Sequence, residues 1–165
     1  MSRSEQPIAR PFVQQFYPDD HAWCYGCGRL NPNGLHLESA WEGDEVVARF
    51  TPRAEHISLP GYVYGGLIAA LIDCHAMATA AAHADRENGR VLGAGDVPRY
   101  VTAALHVDYL LPTPLGPELL LRARVSEAGR RKRVVKVTVH AAGRETARGE
   151  VVAVPIPDAM LAANR

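Results

Sequence analysis

The 165-residue sequence has few cysteines and no excess of charge of either sign. It contains three cysteines, and 18 Lys and Arg residues balance 18 Asp and Glu residues. Three cysteines do not suggest a disulfide scaffold and are typical of a reducing compartment, so we expect a cytoplasmic protein. A net charge near zero provides no overall field for nucleic acid or a membrane surface.

Targeting segments, linkers and nucleotide motifs are also lacking. Residues 1–10 are polar, without the apolar region of a signal peptide, and we expect no run of transmembrane length. No repeat, low-complexity tract, Walker loop, dinucleotide fingerprint or Ser nucleophile elbow is present. We therefore predict one domain over residues 21–157, with an N-terminal arm at 1–20 and a C-terminal tail at 158–165. The first 15 residues are expected to be loose, with Phe12 and Phe16 able to dock.

The stretch from Leu59 to Ala82 stands out from the rest. Gly65 and Gly66 precede a long run of apolar helix formers that starts at Leu67. A helix that is apolar all round belongs in a core. One carboxylate, Asp73, lies in this run, and a buried carboxylate requires a partner or a function.

Two readings of Asp73 are open. It either pairs with a buried Arg or caps a neighbouring segment, or it takes part in chemistry with the free N–H groups of Gly65 and Gly66 at the positive end of the helix. Asp73 lies roughly 12 Å further along the axis than Gly65. One helix therefore cannot aim both at one substrate, whereas two antiparallel helices across a two-fold axis can.

Six further segments alternate in polarity as strands do. The predicted strands cover 35–41, 46–50, 100–111, 118–125, 133–140 and 145–154, with a loop over 85–96. On the third, Ala103, Leu105, Val107 and Tyr109 share one face. Two strands, a helix and a four-strand meander predict an α+β fold, an antiparallel sheet with a helix on one face.

Two motifs resemble those of a known family. The segment 55–66, continued to Asp73, and the segment 24–35 are similar to the signatures of hotdog-fold acyl-CoA thioesterases of the PaaI-like group. The resemblance implies a hotdog fold, in which a curved antiparallel sheet of about six strands wraps a long central helix. It also implies a homodimer or homotetramer and an acyl-CoA substrate, with no metal or other cofactor. Tyr64 stands where the family usually has His, and Ser58 where it often has Asn.

The resemblance further implies residue roles. Asp73 of one subunit acts as general base or nucleophile, while the Gly65 N–H, beside Gly66, polarises the thioester carbonyl. Ser58 orients water and Tyr64 offers its hydroxyl. Substrate contacts are expected from the apolar helix for the acyl group and from basic side chains for the CoA phosphates: Met77 and Leu71, then Arg99, Arg130, Arg131 and Lys132. A solvated turn is the other reading of 130–132. A hotdog protein that binds acyl-CoA or an acyl carrier without hydrolysis is the alternative function, and an enoyl-CoA hydratase ranks below it.

The cysteines and one histidine are candidates for other kinds of chemistry. Cys24 and Cys27 form a CxxC motif that His21 and His36 are candidates to complete as a metal site, but a turn with two packed thiols is favoured. Cys74 is expected to be a buried structural thiol. His75 points away from Asp73 on the helix, so we expect it in a polar pocket or at the subunit seam.

Overall fold

A computed structural model describes residues 10–162. Six strands form one antiparallel sheet against a long helix, which confirms the α+β prediction. The elements in chain order are two 3-10 turns (Val13–Phe16 and Asp19–His21), β1 (Ser39–Glu42), β2 (Glu45–Phe50), α1 (Gly65–Glu87), β3 (Tyr100–Tyr109), β4 (Leu119–Ala128), β5 (Arg133–Ala141), β6 (Arg144–Pro155) and α2 (Asp158–Ala162).

Helix α1 forms the centre of the core. It begins after Tyr64, whose backbone is extended, and its alanine-rich sequence favours the helix throughout. Gly149 of β6 lets it approach the sheet, since a Cβ there would lie 2.5 Å from Cγ2 of Ile72. The helix continues to Glu87, so the loop predicted from residue 85 starts later than expected. Asp85 is buried on the last turn.

The strand order is β1-β2-β4-β5-β6-β3. The predicted meander of the last four strands is wrong, because β3 pairs with β6 and not with β4. Tight hairpins join β4, β5 and β6, whereas residues 110–118 are long enough to carry the chain from one side of the sheet to the other.

Strand β3 is therefore an edge strand. The apolar side chains that were expected to share one face of this strand are partly exposed: Leu105 is 42% and Tyr109 is 54% exposed. Within residues 10–162 no strand pairs with the outer side of β3. Ten residues of open edge with exposed apolar side chains are unusual in a protein that stays monomeric.

The first strand is shorter than predicted. Residues 35–38 lie outside β1, and His36 has a positive φ of 54°. The backbone N–H groups of Leu35 and Leu37 instead donate to carbonyls of the 24–27 loop. Both leucines are still buried. The alternating pattern therefore predicts their burial correctly, but it wrongly predicts a strand at these positions.

The N-terminal arm is only partly described. Residues 1–9 lie outside the described range, and with them most of the segment expected to be loose. The rest of that segment is packed: Val13 is fully buried, and the Gln14 side chain bonds Ser39. Phe16 packs against the core, as expected.

One expectation about membranes needs correction. We expected no run of transmembrane length, yet α1 has 23 residues and is apolar enough, by length and composition, to cross a membrane. In the structure most of that stretch is buried against the sheet, as in a core helix.

Candidate functional site

The N-terminus of α1 opens into a cleft of ≈ 510 Å³. The loop before the helix folds back on itself, with the Tyr64 N–H donating to the His56 carbonyl at 2.9 Å and the Ser58 N–H donating to the Tyr62 carbonyl at 3.0 Å. This small hairpin presents Gly65 at the cleft wall. Among the residues that line the cleft are Ser58, Gly65, Ile68, Tyr109 and Leu111.

The first two peptide N–H groups of α1 are free to bind a ligand. Among residues 10–162, neither the Gly65 nor the Gly66 N–H has an acceptor. The Tyr109 hydroxyl donates to the Gly65 carbonyl at 2.7 Å. Because that carbonyl and the Gly66 N–H belong to one peptide unit, the bond fixes and polarises the Gly66 donor. Two free N–H groups at a helix N-terminus suit a developing oxyanion.

Tyr64 covers part of this terminus. A Cβ on Gly66 would lie 2.4 Å from the Tyr64 ring, so the ring lies directly against the glycine. The tyrosine itself is 57% exposed and can move. Burial raises the pKa of Tyr109, and the charge of Tyr64 raises it further.

Asp73 is half-buried and has a defined partner. Its Oδ1 accepts a hydrogen bond from the Thr102 hydroxyl on β3. Burial raises the pKa of Asp73, whereas the Thr102 hydrogen bond lowers it and the Cys24 thiol raises it again. Within the described chain no salt bridge involves Asp73, although the nearby Arg99 charge also lowers its pKa against the effect of burial.

Within one protomer, Asp73 does not reach the cleft. It lies eight residues beyond Gly65, roughly 12 Å along the axis, and it is not among the lining residues. The structure brings Ser58 and Gly65 together and keeps Asp73 apart. The Ser58 hydroxyl is 3.4 Å from the Val63 carbonyl, so it is partly engaged in its own loop.

The expected acyl contacts lie elsewhere. Leu71 is fully buried and Met77 is 4% exposed, both in the core and neither in the cleft. Their helical faces point toward the sheet of the same chain, which the apolar pattern does not distinguish from a substrate groove. The apolar side chains that line the cleft are Leu59, Val63, Ile68, Leu110, Leu111 and Pro112.

None of the predicted basic residues lines the cleft. Arg130, Arg131 and Lys132 are exposed at the β4–β5 turn. The next residue, Arg133, bonds Glu87, which places this turn near the far end of α1. Arg99 lies inward, with its guanidinium 4.7 Å from the Tyr17 ring centroid.

His75 lies in a polar pocket, as predicted. It is fully buried, with Nδ1 2.9 Å from Ser39 Oγ and Nε2 3.0 Å from the Val46 carbonyl. Burial lowers its pKa to about 4. The neutral ring therefore ties α1 to β1 and β2.

Three thiols meet beside Asp73. Cys74, predicted as a buried thiol, lies with Cys24 and Cys27 in one group whose Sγ atoms are all within 4.8 Å of one another. The candidates from sequence spacing, His21 and His36, are not part of that group.

Sequence reasoning also missed Thr102 and Tyr109. Both lie on β3, where Tyr109 was assigned only to a packed face. The sequence offered one chemical indication of a role, because both residues carry a hydroxyl group on a strand that follows the helix. Nothing in the alternation says that this strand lies beside Asp73 and Gly65.

The comparisons with known proteins agree with this geometry. The model of the thioesterase superfamily matches residues 60–148. A thioesterase superfamily protein from Shewanella loihica is 46% identical, with a TM-score of 0.61 over 73% of this chain and 91% of that one. A search of curated proteins finds no match.

More distant solved structures share the fold. The E. coli PaaI protein, from the phenylacetic acid degradation operon, is 17% identical with a TM-score of 0.60 over 74% of this chain and 81% of that one. A Streptococcus mutans protein bound to acetyl CoA is 21% identical with a TM-score of 0.57 over 73% and 88%. These likenesses confirm the hotdog architecture, and the chain belongs to the thioesterase superfamily.

Proposed function

We propose that the protein hydrolyses an acyl-CoA thioester to the free acid and CoA, in a site that two copies of the chain complete together. The observation that carries this proposal is a half-exposed stripe on helix α1, whose other residues from Leu67 to Ala82 are buried. The residues of the stripe are Gly66, Ala69, Ala70 and Asp73. Their spacing of three, four and seven places them on one face, beside the open edge of β3.

The stripe is self-complementary. When two such helices run antiparallel across a two-fold axis between Ala69 and Ala70, residue 66 of one lies opposite residue 73 of the other. Alanine and glycine at the centre let the two helices approach closely. The same axis brings the two β3 edges together, which would cover Leu105 and other apolar side chains. A homodimer is thus the smallest unit in which both halves of the chemistry meet, and a dimer of dimers is compatible with it.

The chemistry follows from the two halves. The N–H groups of Gly65 and Gly66 stabilise the oxyanion that develops on the thioester carbonyl. Asp73 of the other copy removes a proton from water as it attacks, or attacks the carbonyl itself to give a mixed anhydride that water then hydrolyses. In both routes the C–S bond breaks and CoA leaves as its thiolate. Ser58 and Tyr64 are placed to orient water or carbonyl at the cleft.

The remaining substrate contacts are proposed from the chemical character of the side chains. The acyl group lies against Ile68 and Leu111 in the cleft, in place of Leu71 and Met77. The exposed cations at 130–132 suit the CoA phosphates, and the S. mutans relative bound to acetyl CoA supports a CoA ester as ligand. Neither route uses a cofactor, and we place the reaction in the cytoplasm.

Binding of acyl-CoA without turnover is the second candidate. The Tyr64 ring lies against Gly66, where the resemblance leads us to expect an imidazole. A ring that stays there during binding would shield one oxyanion donor. The wild-type protein would then bind acyl-CoA and release no thiol.

A thiol-release assay over aryl- and fatty-acyl-CoAs tests the enzyme. Asp73→Asn keeps the shape of the side chain and removes the base, so turnover should fall ~10²–10⁴-fold. Isothermal titration with the same esters separates the two candidates. Binding with no thiol release in the wild type supports the binder, and thiol release that Asp73→Asn leaves intact rules out our assignment of the base.

Complementation between variants tests the shared site. Gly65→Pro removes one N–H at the first helical position, where proline is tolerated, and Gly65→Ala is the matched control that keeps the N–H. Mixed dimers of Gly65→Pro and Asp73→Asn chains contain one intact site, so they should recover up to half of wild-type activity. Mixed dimers as inactive as either parent would show that the two groups act within one chain.

A further inference from the structure

The three thiols beside Asp73 form a cluster drawn from two distant parts of the chain. Cys24 and Cys27 come from the loop before β1, and Cys74 comes from the middle of α1. All three are free cysteines, and Cys24 Sγ lies 3.7 Å from Cys74 Sγ. They are all the cysteines that the sequence has. The proposed thioester hydrolysis uses none of them.

The loop is shaped to hold its two thiols against the helix. A Cβ on Gly26 would lie 2.2 Å from Cys74 Sγ, so the loop backbone lies directly on the third thiol. The Gly28 N–H closes the turn on the Cys24 carbonyl at 2.7 Å.

The spacing matches a tetrahedral thiolate site. With Zn–S bonds of ~2.3 Å, two ligands on a tetrahedral zinc ion are ~3.8 Å apart. The Cys24–Cys74 separation of 3.7 Å already equals that edge, and the third sulfur lies within 4.8 Å of both. Small rotations of the Cys27 side chain complete a three-sulfur face, with the fourth position left for water. Cys24 is only half-buried, which provides a path for the ion.

Arg99 is a half-buried cation whose guanidinium lies 4.7 Å from the Tyr17 ring centroid. Arg99 Nη1 is buried without a hydrogen-bond partner, and among residues 10–162 the Arg99 side chain forms no salt bridge with a carboxylate. Its charge acts on both Cys24 and Cys27. One Zn²⁺ with three thiolates carries a single negative charge, which Arg99 neutralises. A disulfide between two of the thiols would carry no charge and would leave the third thiol outside the bond.

We propose that Cys24, Cys27 and Cys74 bind one zinc ion, with Arg99 as its charge partner. The ion cross-links the loop before β1 to the middle of α1, one residue from Asp73. Its role is structural: it holds the loop on the helix and so fixes the flank of the stripe where the second copy docks. Binding replaces three thiol protons with the metal, and no oxidant is involved.

The test is a metal analysis of the full-length protein purified without chelator and supplied with zinc. We expect one zinc per chain by mass spectrometry of the metal, and protection of the thiols from Ellman's reagent until a chelator is added. Cobalt added to the chelated wild-type protein should give thiolate-to-cobalt charge-transfer bands and the visible bands of a tetrahedral ion. Cys74→Ser should lose the metal, and Arg99→Gln should weaken zinc binding ~10–100-fold, as loss of an outer partner does.

His21→Gln and His36→Asn are the matched controls and should keep one zinc per chain. The wild-type cobalt and thiol measurements need no variant to fold. Three freely reactive thiols in zinc-supplied wild type, cobalt spectra without charge-transfer bands, or zinc retained by Cys74→Ser would each overturn the proposal. Co-purified Cys24–Cys74 disulfide in place of zinc would overturn it as well. None of these outcomes depends on thioesterase activity.

Discussion

The hydroxyl of Thr102 donates a hydrogen bond to Oδ1 of Asp73 and thereby links the edge strand β3 to the middle of α1. The β3–β6 register shifts between Thr102 and Ala104, and such a bulge re-aims the side chains beside it. Burial alone raises the pKa of Asp73, and the Thr102 hydrogen bond counteracts that rise. The bond thus favours the ionised form of the carboxylate and holds it in place for the proposed attack.

Thr102→Val should impair the base without removing it. The loss of one hydrogen bond to a charged group is worth about 1.5–3 kcal/mol, so kcat should fall ~10–100-fold with KM little changed. The pKa of Asp73 should rise further, which moves the acid limb of the pH–rate profile to higher pH. Initial rates across pH measure both effects. Thr102→Ser, which keeps the hydroxyl, should resemble wild type, and an unshifted limb in Thr102→Val would contradict the role.

Tyr109→Phe tests the donor side of the site. Its hydroxyl fixes the peptide unit that carries the Gly66 N–H, and loss of about 1 kcal/mol from that bond should lower kcat ~5-fold. Stability should change little, because Tyr109 is on the exposed end of β3. Tyr62→Phe is the control, since its hydroxyl has no partner in the described chain although the residue lines the same cleft. Equal losses in both variants would show that the effect is not specific to the Gly65–Gly66 peptide.

The elements of this fold could be predicted because their signals are local. The period of the apolar run identifies α1, and the alternation in 133–140 and 145–154 identifies β5 and β6 to within a few residues. Gly65 and Gly66, which open the first turn of α1, mark the donor end of the candidate site. Gly65 and Asp73 could be predicted as site residues for the same reason, because each is an exception within a helix that is otherwise apolar.

The pairings could not be predicted because they are non-local. Alternation does not state which strand lies next to β3, so its edge position and the contact of Thr102 with Asp73 were missed. Cys24 and Cys74 are 50 residues apart, and no spacing rule connects a loop cysteine to one within a helix. Leu71 and Met77 illustrate the opposite error, because apolarity alone does not distinguish a core position from a ligand groove.

Ala69→Glu should separate the proposed dimer. The residue lies at the centre of the half-exposed stripe, where two copies would place two like charges close to the two-fold axis. Light scattering should then report a monomer, and thiol release should fall with the dimer fraction, because each protomer retains only half of the site. Ala94→Glu introduces the same change in an exposed loop and should leave both the oligomeric state and the rate of thiol release unaffected. An active monomer of Ala69→Glu would refute the shared site while leaving the family assignment intact.

The buried His75 should make stability depend on pH. Its pKa is about 4 in the folded protein, below the ordinary value of 6.5, because burial disfavours the charged ring. Above that ordinary value the ring is neutral in both states and its contribution is complete. As pH falls the unfolded chain takes up the proton first, so the free energy of unfolding should drop by about 3 kcal/mol toward pH 4.

Urea denaturation at fixed protein and zinc concentration, from about pH 7.5 to pH 4.5, measures this loss. His75→Gln should be less stable at neutral pH, because the bonds to Ser39 and Val46 are disturbed, yet its stability should fall less steeply with acid. His36→Asn removes an exposed histidine at a positive φ that asparagine also adopts, so it should keep the wild-type slope. If His75→Gln and wild type lose stability in parallel, the neutral His75 ring is not the origin of the acid sensitivity. The sensitivity would then arise from protonation of carboxylates elsewhere in the protein.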